Sequence, residues 1–243
     1  MIFSKKDPMK RCLKYRRKVL DMSQKVSALH GGGAFSATEM IDLSYFGLMK
    51  KNNEGKFIDT FLMSKGHSCL IQYIILESLN ILSSKDLEFY CKAGGRLGCH
   101  PDYGVPGIEA STGSLGHGMG LAVGMSHADK IQKNNKTIYV ILSDGELQEG
   151  STWENMMMGA NLEANNIVAL LDHNGSQSFG ITKETHPKCC FLRISFGSCS
   201  RRHSAANLLC LRKTLLATFH TQPRTSLTPR KTCRGMSSMR LRT

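Results

Sequence analysis

The 243-residue sequence has no long hydrophobic run. Its most apolar stretch, residues 70–82, is interrupted by four polar side chains and is too short to span a bilayer. The first thirty residues are basic but lack an apolar core with a small-residue cleavage site, so we predict no secretory signal. The sequence therefore predicts a cytoplasmic protein without membrane association, long enough for one α/β domain.

The cysteines lack any CxxC arrangement, and their number, nine, is odd. Without a secretory signal, this favours a reducing compartment over a disulfide scaffold. The neighbours Cys99 and His100 are half of a metal-site pattern, but the sequence holds no second such pair. We therefore predict no cysteine-based metal site.

Acidic residues are absent beyond Glu184. Residues 189–243 hold 11 of the 32 Lys and Arg, which leaves 32 − 11 = 21 basic against 19 acidic residues in residues 1–188. The net charge of +13 thus divides into a body of +2 and a tail of +11. The tail lacks the aromatic interleaving of a nucleic-acid-binding module, so we predict no nucleic-acid partner. We predict a domain over residues 1–188, incomplete at its C-terminal end, and a basic tail over residues 189–243 that is either disordered or translated out of frame.

Hydrophobic periodicity predicts alternating helices and strands in the body. Two short apolar runs rich in β-branched residues are typical of buried parallel strands, and a helix lies between them. This βαβ unit predicts an α/β fold with a parallel sheet flanked by helices. The predicted helices cover residues 9–29, 36–49, 64–79, 83–91 and 151–162, and the predicted strands cover residues 137–142 and 167–171. We expect the first helix to stop at glycines 31–33, and residues 36–39, SATE, indicate a capping box at the start of the second. The predicted apolar face of the first helix consists of Leu13, Val19, Leu20, Val26 and Leu29.

Two polar residues, Asp144 and Asn174, follow the C-terminal ends of the two predicted strands. Ligands bind at that edge of an open parallel sheet. A carboxylate and an amide oxygen suit Mg²⁺, which prefers oxygen ligands and shares its coordination with phosphate. Gly145 would let the backbone approach a phosphate closely. Asp-Gly or Asn-Gly alone is typical of a simple turn. The two together, framing one βαβ unit, are far more specific for a ligand site.

This pair resembles the thiamine diphosphate signature, an Asp-Gly followed some thirty residues later by Asn. The longer motif DGELQEG…WE…N…LDHN is similar to the corresponding motif of the transketolase family in particular. The resemblance extends to four further segments in the same order, and the matches together cover roughly residues 10–187. These segments are LHGGGAFS from residue 29, SKGH from residue 64, GCHP from residue 98 and VPGIEASTGSLGHG from residue 105.

The resemblance implies the thiamine diphosphate-binding fold, with a cofactor site at the matching positions. It implies that Asp144, Asn174 and the backbone carbonyl of Ser176 hold Mg²⁺. The contacts to thiamine diphosphate that it implies come from His67, Gly113, Ser114, Leu115, Gly145 and Asn174.

Three histidines are implied on the substrate side of the cofactor. His30 and His100 would meet the sugar hydroxyls, and His67 would lie between cofactor and substrate. A neutral imidazole suits this role because it can donate at one nitrogen and accept at the other. The sequence departs from the family's pattern at Ser143 in place of glycine, Gly31 in place of proline and His117 in place of glutamine.

The reaction implied is transketolase chemistry, in which a two-carbon ketol unit passes from a ketose to an aldose in the metabolism of sugar phosphates such as those of the pentose phosphate pathway. In the family, the glutamate that activates the cofactor lies in a second, pyrimidine-binding domain. Glu149 belongs to the diphosphate domain, so we interpret it as an interface residue. The sequence similarity to the family stops near Pro187. The resemblance therefore implies the N-terminal subunit of a split transketolase, which self-associates and is active only with a C-terminal subunit that carries the pyrimidine-binding domain.

Three alternatives stand beside this hypothesis. Deoxyxylulose phosphate synthase shares the fold and cofactor, although LQEG and GSLGHG fit transketolase better. A truncated or frameshifted chain would be an inactive remnant, and the region after Pro187 decides this, because we do not find the family's continuation there. A Rossmann interpretation of glycines 113–120 fails because no predicted strand leads into them.

Overall fold

The computed structural model describes residues 7–27, 29–178, 180–182, 207–209 and 214–215, and within them a mainly parallel sheet is flanked by helices. The predicted fold class is confirmed. The helices are α1 Pro8–Ser23, α2 Gly31–Leu43, α3 Cys69–Ser78, α4 Ser84–Glu88, α5 His117–Gln132 and α6 Gly150–Asn161, with a π-helical turn at Ser44–Leu48 and 3₁₀ turns at Gly66–Ser68 and Gly145–Gln148. The strands are β1 Thr60–Met63, β2 Ile138–Ser143, β3 Ile167–Asp172, β4 Ser176–Gln177, β5 Gly180–Ile181, β6 Asn207–Leu209 and β7 Thr214–Leu215.

The centre of the sheet is the parallel array β1-β2-β3. The register pairs Ile138 with Ile167 at the start of β2 and β3, and Ser143 with Asp172 at their ends. Because both strands end at the same level, the loops that follow them emerge side by side at one edge. This is the edge at which open parallel sheets bind ligands.

Two hydrophobic cores cover the two faces of the sheet. Helices α1, α2 and α3 contribute to one core, and α5 and α6 contribute to the other. Side chains alternate along a strand, so Tyr139 and Ile141 of β2 enter the first core while Val140 and Leu142 enter the second. Burial on both faces explains why β2 and β3 are continuous apolar runs rather than alternating ones.

Five described residues fall in the predicted tail, and they lie beside β3. Strand β6 pairs with β3 in parallel, and β7 pairs with it in antiparallel orientation. The predicted boundary at residue 188 and the rest of the tail lie outside the described residues, so the division of the chain stays a prediction. Within the described part of the chain, no helix is both long enough and apolar enough to cross a membrane.

Helix α1 differs from its prediction in length and in its buried face. It ends at Ser23 rather than at residue 29, and Leu13 and Leu20, predicted to face the core, are 51% and 52% exposed. The buried stripe consists of Cys12, Tyr15, Val19 and Met22, at spacings of three and four residues, and only Val19 of these belongs to the predicted apolar face. This stripe includes a tyrosine and a cysteine, which a pattern restricted to aliphatic residues does not detect.

Helix α2 begins five residues before its predicted start. The glycines after His30, predicted as a helix stop, form its first turn, with His30 as the residue before it. Ser36, predicted as part of an N-terminal capping box, lies inside the helix, and its hydroxyl donates to Gly33 O and Asp172 Oδ2. The box was wrong because the serine's partner is at the end of β3, 136 residues away.

The remaining predicted elements lie within a few residues of their predicted bounds. Ser83 caps α4 through a reciprocal capping box with Asp86. Helix α3 begins at Cys69, after the SKGH segment rather than at its first residue, and β2, α6 and β3 form the predicted βαβ unit. Strand β1 was not predicted, although it forms the edge of the parallel array beside β2.

Candidate functional site

A cavity of about 470 Å³ lies at the edge of the sheet where β2 and β3 end. It collects residues from α2, from the turn after β1, from the loop before α5 and from the turns after β2 and β3. The lining residues are His30, Gly32, Gly33, Ser36, Lys65, His67, Leu115, Ser143, Asp144, Gly145, Asn174, Ser176, Gln177 and Ser178.

Asp144 follows β2 directly, and its side chain is only 3% exposed. Its Oδ1 accepts a hydrogen bond from the Gly145 N–H at 3.0 Å, and its Oδ2 accepts one from the Gly175 N–H at 3.1 Å. His173 Nδ1 lies 3.5 Å from the same Oδ2. The second bond joins the turn after β3 to the end of β2, so the two predicted metal-binding segments meet.

Asn174 is held by two hydrogen bonds that fix its amide orientation. Its Nδ2 donates to Ser36 Oγ at 3.2 Å, and its Oδ1 accepts from the Ser176 N–H at 2.8 Å. The side chain therefore places its oxygen on the side of the Asn174–Ser176 turn. All three positions predicted to hold Mg²⁺ line the cavity.

The three predicted substrate-side histidines form one cluster. The ring centroids of His30 and His67 are 5.5 Å apart, and those of His30 and His100 are 6.1 Å apart. Burial, followed by the nearby positive charge of Lys65, lowers the pKa of His67 to about 4. His67 is therefore neutral at pH 7, which is the state that can donate and accept at once.

Beneath the cavity lies a buried ion pair that sequence reasoning missed. Lys65 Nζ is 2.5 Å from Asp172 Oδ2, and both side chains are 2% exposed. Lys65 Nζ also donates to Ser36 Oγ at 3.2 Å. Lys65 stands in the SKGH segment and Asp172 at the end of β3, but their partnership joins positions 107 residues apart. Lys65 lines the cavity wall, and its charge is balanced there by Asp172.

Glu146 is a second residue that sequence reasoning missed. It is completely buried, two residues beyond Asp144, and its carboxylate accepts hydrogen bonds from Ser64, Gly116 and Ser143. Burial raises its pKa, and these hydrogen bonds oppose the rise. In the sequence it stands among several carboxylates of the DGELQEG text, and nothing local distinguishes it from Glu149, which is exposed and precedes α6.

Not every predicted contact residue lines the cavity. His67, Leu115, Gly145 and Asn174 do, whereas Gly113 and Ser114 stand outside its lining. Gly113 lies against His100, since a Cβ added there would be 3.1 Å from the His100 ring. His100 also stands outside the lining and reaches the cluster through its contact with His30.

The residues present fit a magnesium ion bound together with a diphosphate. Among the described residues, no group of three or more His, Cys, Asp or Glu side chains could hold a metal ion alone. One carboxylate, one amide oxygen and one backbone carbonyl leave positions for phosphate oxygens and water, which is how Mg²⁺ is usually held. Gly145 lines the cavity without a side chain, and a Cβ added there would be in contact with Gln177 Oε1 at 3.4 Å.

Known proteins similar to this chain include transketolases and transketolase subunits. Residues 9–195 match the family described as transketolase, thiamine diphosphate binding domain. The chain is 38% identical over 175 residues to an apulose-4-phosphate transketolase subunit from Phocaeicola vulgatus, in an alignment that covers 70% of the chain and 62% of that protein. It is 34% identical over 149 residues to human transketolase, covering 60% of the chain and 24% of that protein.

Solved structures give the same result. Transketolase from Leishmania mexicana superposes with a TM-score of 0.67 at 26% identity, covering 76% of the chain and 30% of that structure. The match to a transketolase structure from Campylobacter jejuni has a TM-score of 0.66 at 25% identity, covering 73% of the chain and 30% of that structure. The chain thus spans less than two thirds of the length of the Phocaeicola vulgatus relative and less than a third of the transketolases in these structures.

Proposed function

The chain belongs to the transketolase family, and on that premise we propose that it is the diphosphate-binding subunit of a two-chain transketolase. In this proposal it transfers a two-carbon ketol unit from a ketose phosphate to an aldose phosphate, with thiamine diphosphate and Mg²⁺. The observation that carries the proposal is the meeting of Asp144 with the Asn174–Ser176 turn, through the Gly175 N–H bond of 3.1 Å, in the wall of a cavity.

Asp144, Asn174 and the carbonyl of Ser176 would hold the metal ion, and Gly145 would admit the diphosphate. The buried carboxylate of Asp144 already accepts two backbone N–H bonds, which fix its orientation. The Lys65 side chain also lines the cavity, with its charge balanced by Asp172. Leu115 would contact the cofactor from the loop before α5. Gly113 and Ser114 are also proposed to contact the cofactor, although they do not line the cavity.

When bound, the cofactor supplies the carbon centre that carries the two-carbon unit. His30 and His100 would bind the sugar hydroxyls, and His67 would lie between cofactor and sugar. The lowered pKa of His67 keeps its imidazole neutral at pH 7, so it can hold a proton at one ring nitrogen and accept one at the other.

The proposed partner is a separate chain that carries the pyrimidine-binding domain and its activating glutamate. Two relatives are named as subunits of an apulose-4-phosphate transketolase rather than as whole enzymes, which favours a multi-subunit enzyme. We also propose self-association, with the exposed Glu149 at an interface, a cytoplasmic location, and a domain that ends near residue 188. Sugar phosphates are the proposed substrates.

Complementation of the chain by its partner tests the proposal. The purified chain, with thiamine diphosphate, Mg²⁺, a panel of ketose phosphates and an aldose phosphate, is expected to give no turnover. Addition of a separately purified pyrimidine-domain subunit of a two-chain transketolase should restore ketol transfer, measured as formation of the new ketose. The partner alone, under the same conditions, is the control.

Two outcomes contradict the proposal in different ways. Robust turnover by this chain alone would remove the need for a partner. No turnover in the mixture, together with no binding of the cofactor by the chain, would favour the inactive remnant instead.

A further inference from the structure

Glu146 is a buried carboxylate whose acceptor capacity is used by three separate segments. Its Oε1 accepts from the Ser64 hydroxyl and from the Gly116 N–H, the latter at 2.8 Å. Its Oε2 accepts from the Ser143 N–H at 3.2 Å. The side chain has no solvent exposure, so these protein groups replace water as its partners.

The backbone of Glu146 is fixed as well. Its N–H donates to Ser143 Oγ at 3.2 Å, and its carbonyl accepts from Thr152 Oγ1 at 2.7 Å, which joins it to the first turn of α6. The peptide groups on both sides of Glu146 are thus hydrogen-bonded. The carboxylate has little freedom to move away from the three segments that it binds.

Each of the three segments leads directly to a part of the cavity wall. Ser64 immediately precedes Lys65, Gly116 immediately follows Leu115, and Ser143 immediately precedes Asp144. Gly116 has φ +83°, and a Cβ there would be 3.0 Å from Glu149 Cβ, so the loop is closely packed at this point. A single side chain therefore connects the residues next to three cavity-lining positions.

We infer that Glu146 is a positioning residue, which holds the ends of β1 and β2 and the loop before α5 in the relative arrangement that the cofactor requires. This inference rests on the proposed function for the role of the cavity, but the hydrogen bonds that it invokes do not depend on it. Glu146 does not line the cavity, so it acts through the segments that it joins.

A carboxylate suits this role better than a neutral or apolar side chain. All three partners donate, and an ionised carboxylate is acceptor-only, with room for several donors. Burial of a carboxylate is unfavourable unless hydrogen bonds compensate for it, so a residue needed only to fill space would be apolar. Glutamine offers one acceptor oxygen, and its NH₂ group would face an N–H or O–H that also donates.

The test compares Glu146→Gln with the wild-type chain in two measurements. Amide hydrogen exchange of the cofactor-free chain should show faster exchange at Gly116 or Ser143, because one N–H loses its acceptor. Calorimetry with thiamine diphosphate and Mg²⁺ should show affinity reduced by about tenfold or more. Glu88→Gln removes an exposed carboxylate from α4, remote from the cavity, and should leave both measurements unchanged.

The two readouts separate this inference from the proposed function. Binding by wild type and Glu146→Gln with equal affinity, or wild-type exchange at both amides in the variant, would overturn the positioning role. Absence of binding by the wild-type chain would instead count against the proposed function, and the exchange measurement would still decide the role of Glu146. If Glu146→Gln does not fold, Ser64→Ala removes one donor and keeps the carboxylate, and it should weaken cofactor binding with the fold retained. Unchanged affinity in that variant would overturn the inference.

Discussion

Asp144→Ala is expected to abolish the Mg²⁺-dependent part of thiamine diphosphate binding. Asp144 supplies the carboxylate of the proposed metal site, and its charge would offset that of the metal ion beside the diphosphate. Loss of outer-shell partners of a metal typically weakens binding about 10–100-fold, and we expect loss of a ligand to exceed this. Calorimetry with Mg²⁺ and with EDTA measures the effect. In the variant the two titrations should become equal, at the affinity that the wild-type chain has in EDTA.

Two controls separate the loss of a ligand from damage to the fold. Asp144→Ala also leaves the Gly175 N–H without its acceptor, at a cost of about 1–3 kcal/mol, so thermal unfolding of the cofactor-free chain must accompany the titrations. Glu163→Ala removes an exposed carboxylate from a surface pair with Lys130 and should bind as wild type does. Equal affinity of the wild-type chain with Mg²⁺ and with EDTA would show the metal assignment to be incorrect.

Lys65→Met is expected to lower the free energy of unfolding by about 3–5 kcal/mol, because it leaves the Asp172 carboxylate buried without its counter-charge. The double variant Lys65→Met/Asp172→Leu removes both charges and should regain most of that loss. Ser36 keeps its bond to the Gly33 carbonyl in the double variant. Urea denaturation of the single and double variants gives the coupling free energy between the two positions.

A more exposed ion pair provides the comparison. Lys18 and Glu77 lie 2.7 Å apart, with side chains 33% and 18% exposed. Lys18→Met should cost about 0–1 kcal/mol, since water can solvate the remaining carboxylate. Two results would contradict this prediction. One is a loss of unfolding free energy in Lys65→Met no larger than that in Lys18→Met, and the other is simple addition of the two single effects in the double variant.

The sequence predicted best what depends on local pattern. The βαβ unit was found because β2 and β3 are buried on both faces and therefore read as continuous apolar runs. Asp144 and Asn174 could then be placed together, since the ends of adjacent parallel strands meet at one edge. In the structure the Gly175 N–H bond joins their two segments. The grouping of His30 with His67 and His100 was expected from the family resemblance alone.

What the sequence did not predict depends on partners distant along the chain. Glu146 bonds Ser64 across 82 positions, and Lys65 pairs with Asp172 across 107. The residues next to a glutamate in the sequence do not indicate whether its carboxylate is buried, so Glu146 could not be distinguished from Glu149. Strand β1 has four residues, and its parallel partner β2 begins 138 − 60 = 78 positions later, so neither length nor a nearby partner indicated it. Ser36 was interpreted as a helix cap because its true partner, Asp172, is equally remote.

The confinement of the cavity to one edge of the sheet leaves the opposite edge available for protein engineering. The turn over residues 50–56, which comes before β1, is exposed throughout, as is the stretch over residues 131–135 before β2. The six residues of β2 separate that edge from Asp144 by roughly 20 Å of strand. Exposed turns of this kind are the usual places where insertions are accepted. A fluorescent label or an affinity peptide inserted in the turn over residues 50–56 would therefore report on assembly without entering the cavity.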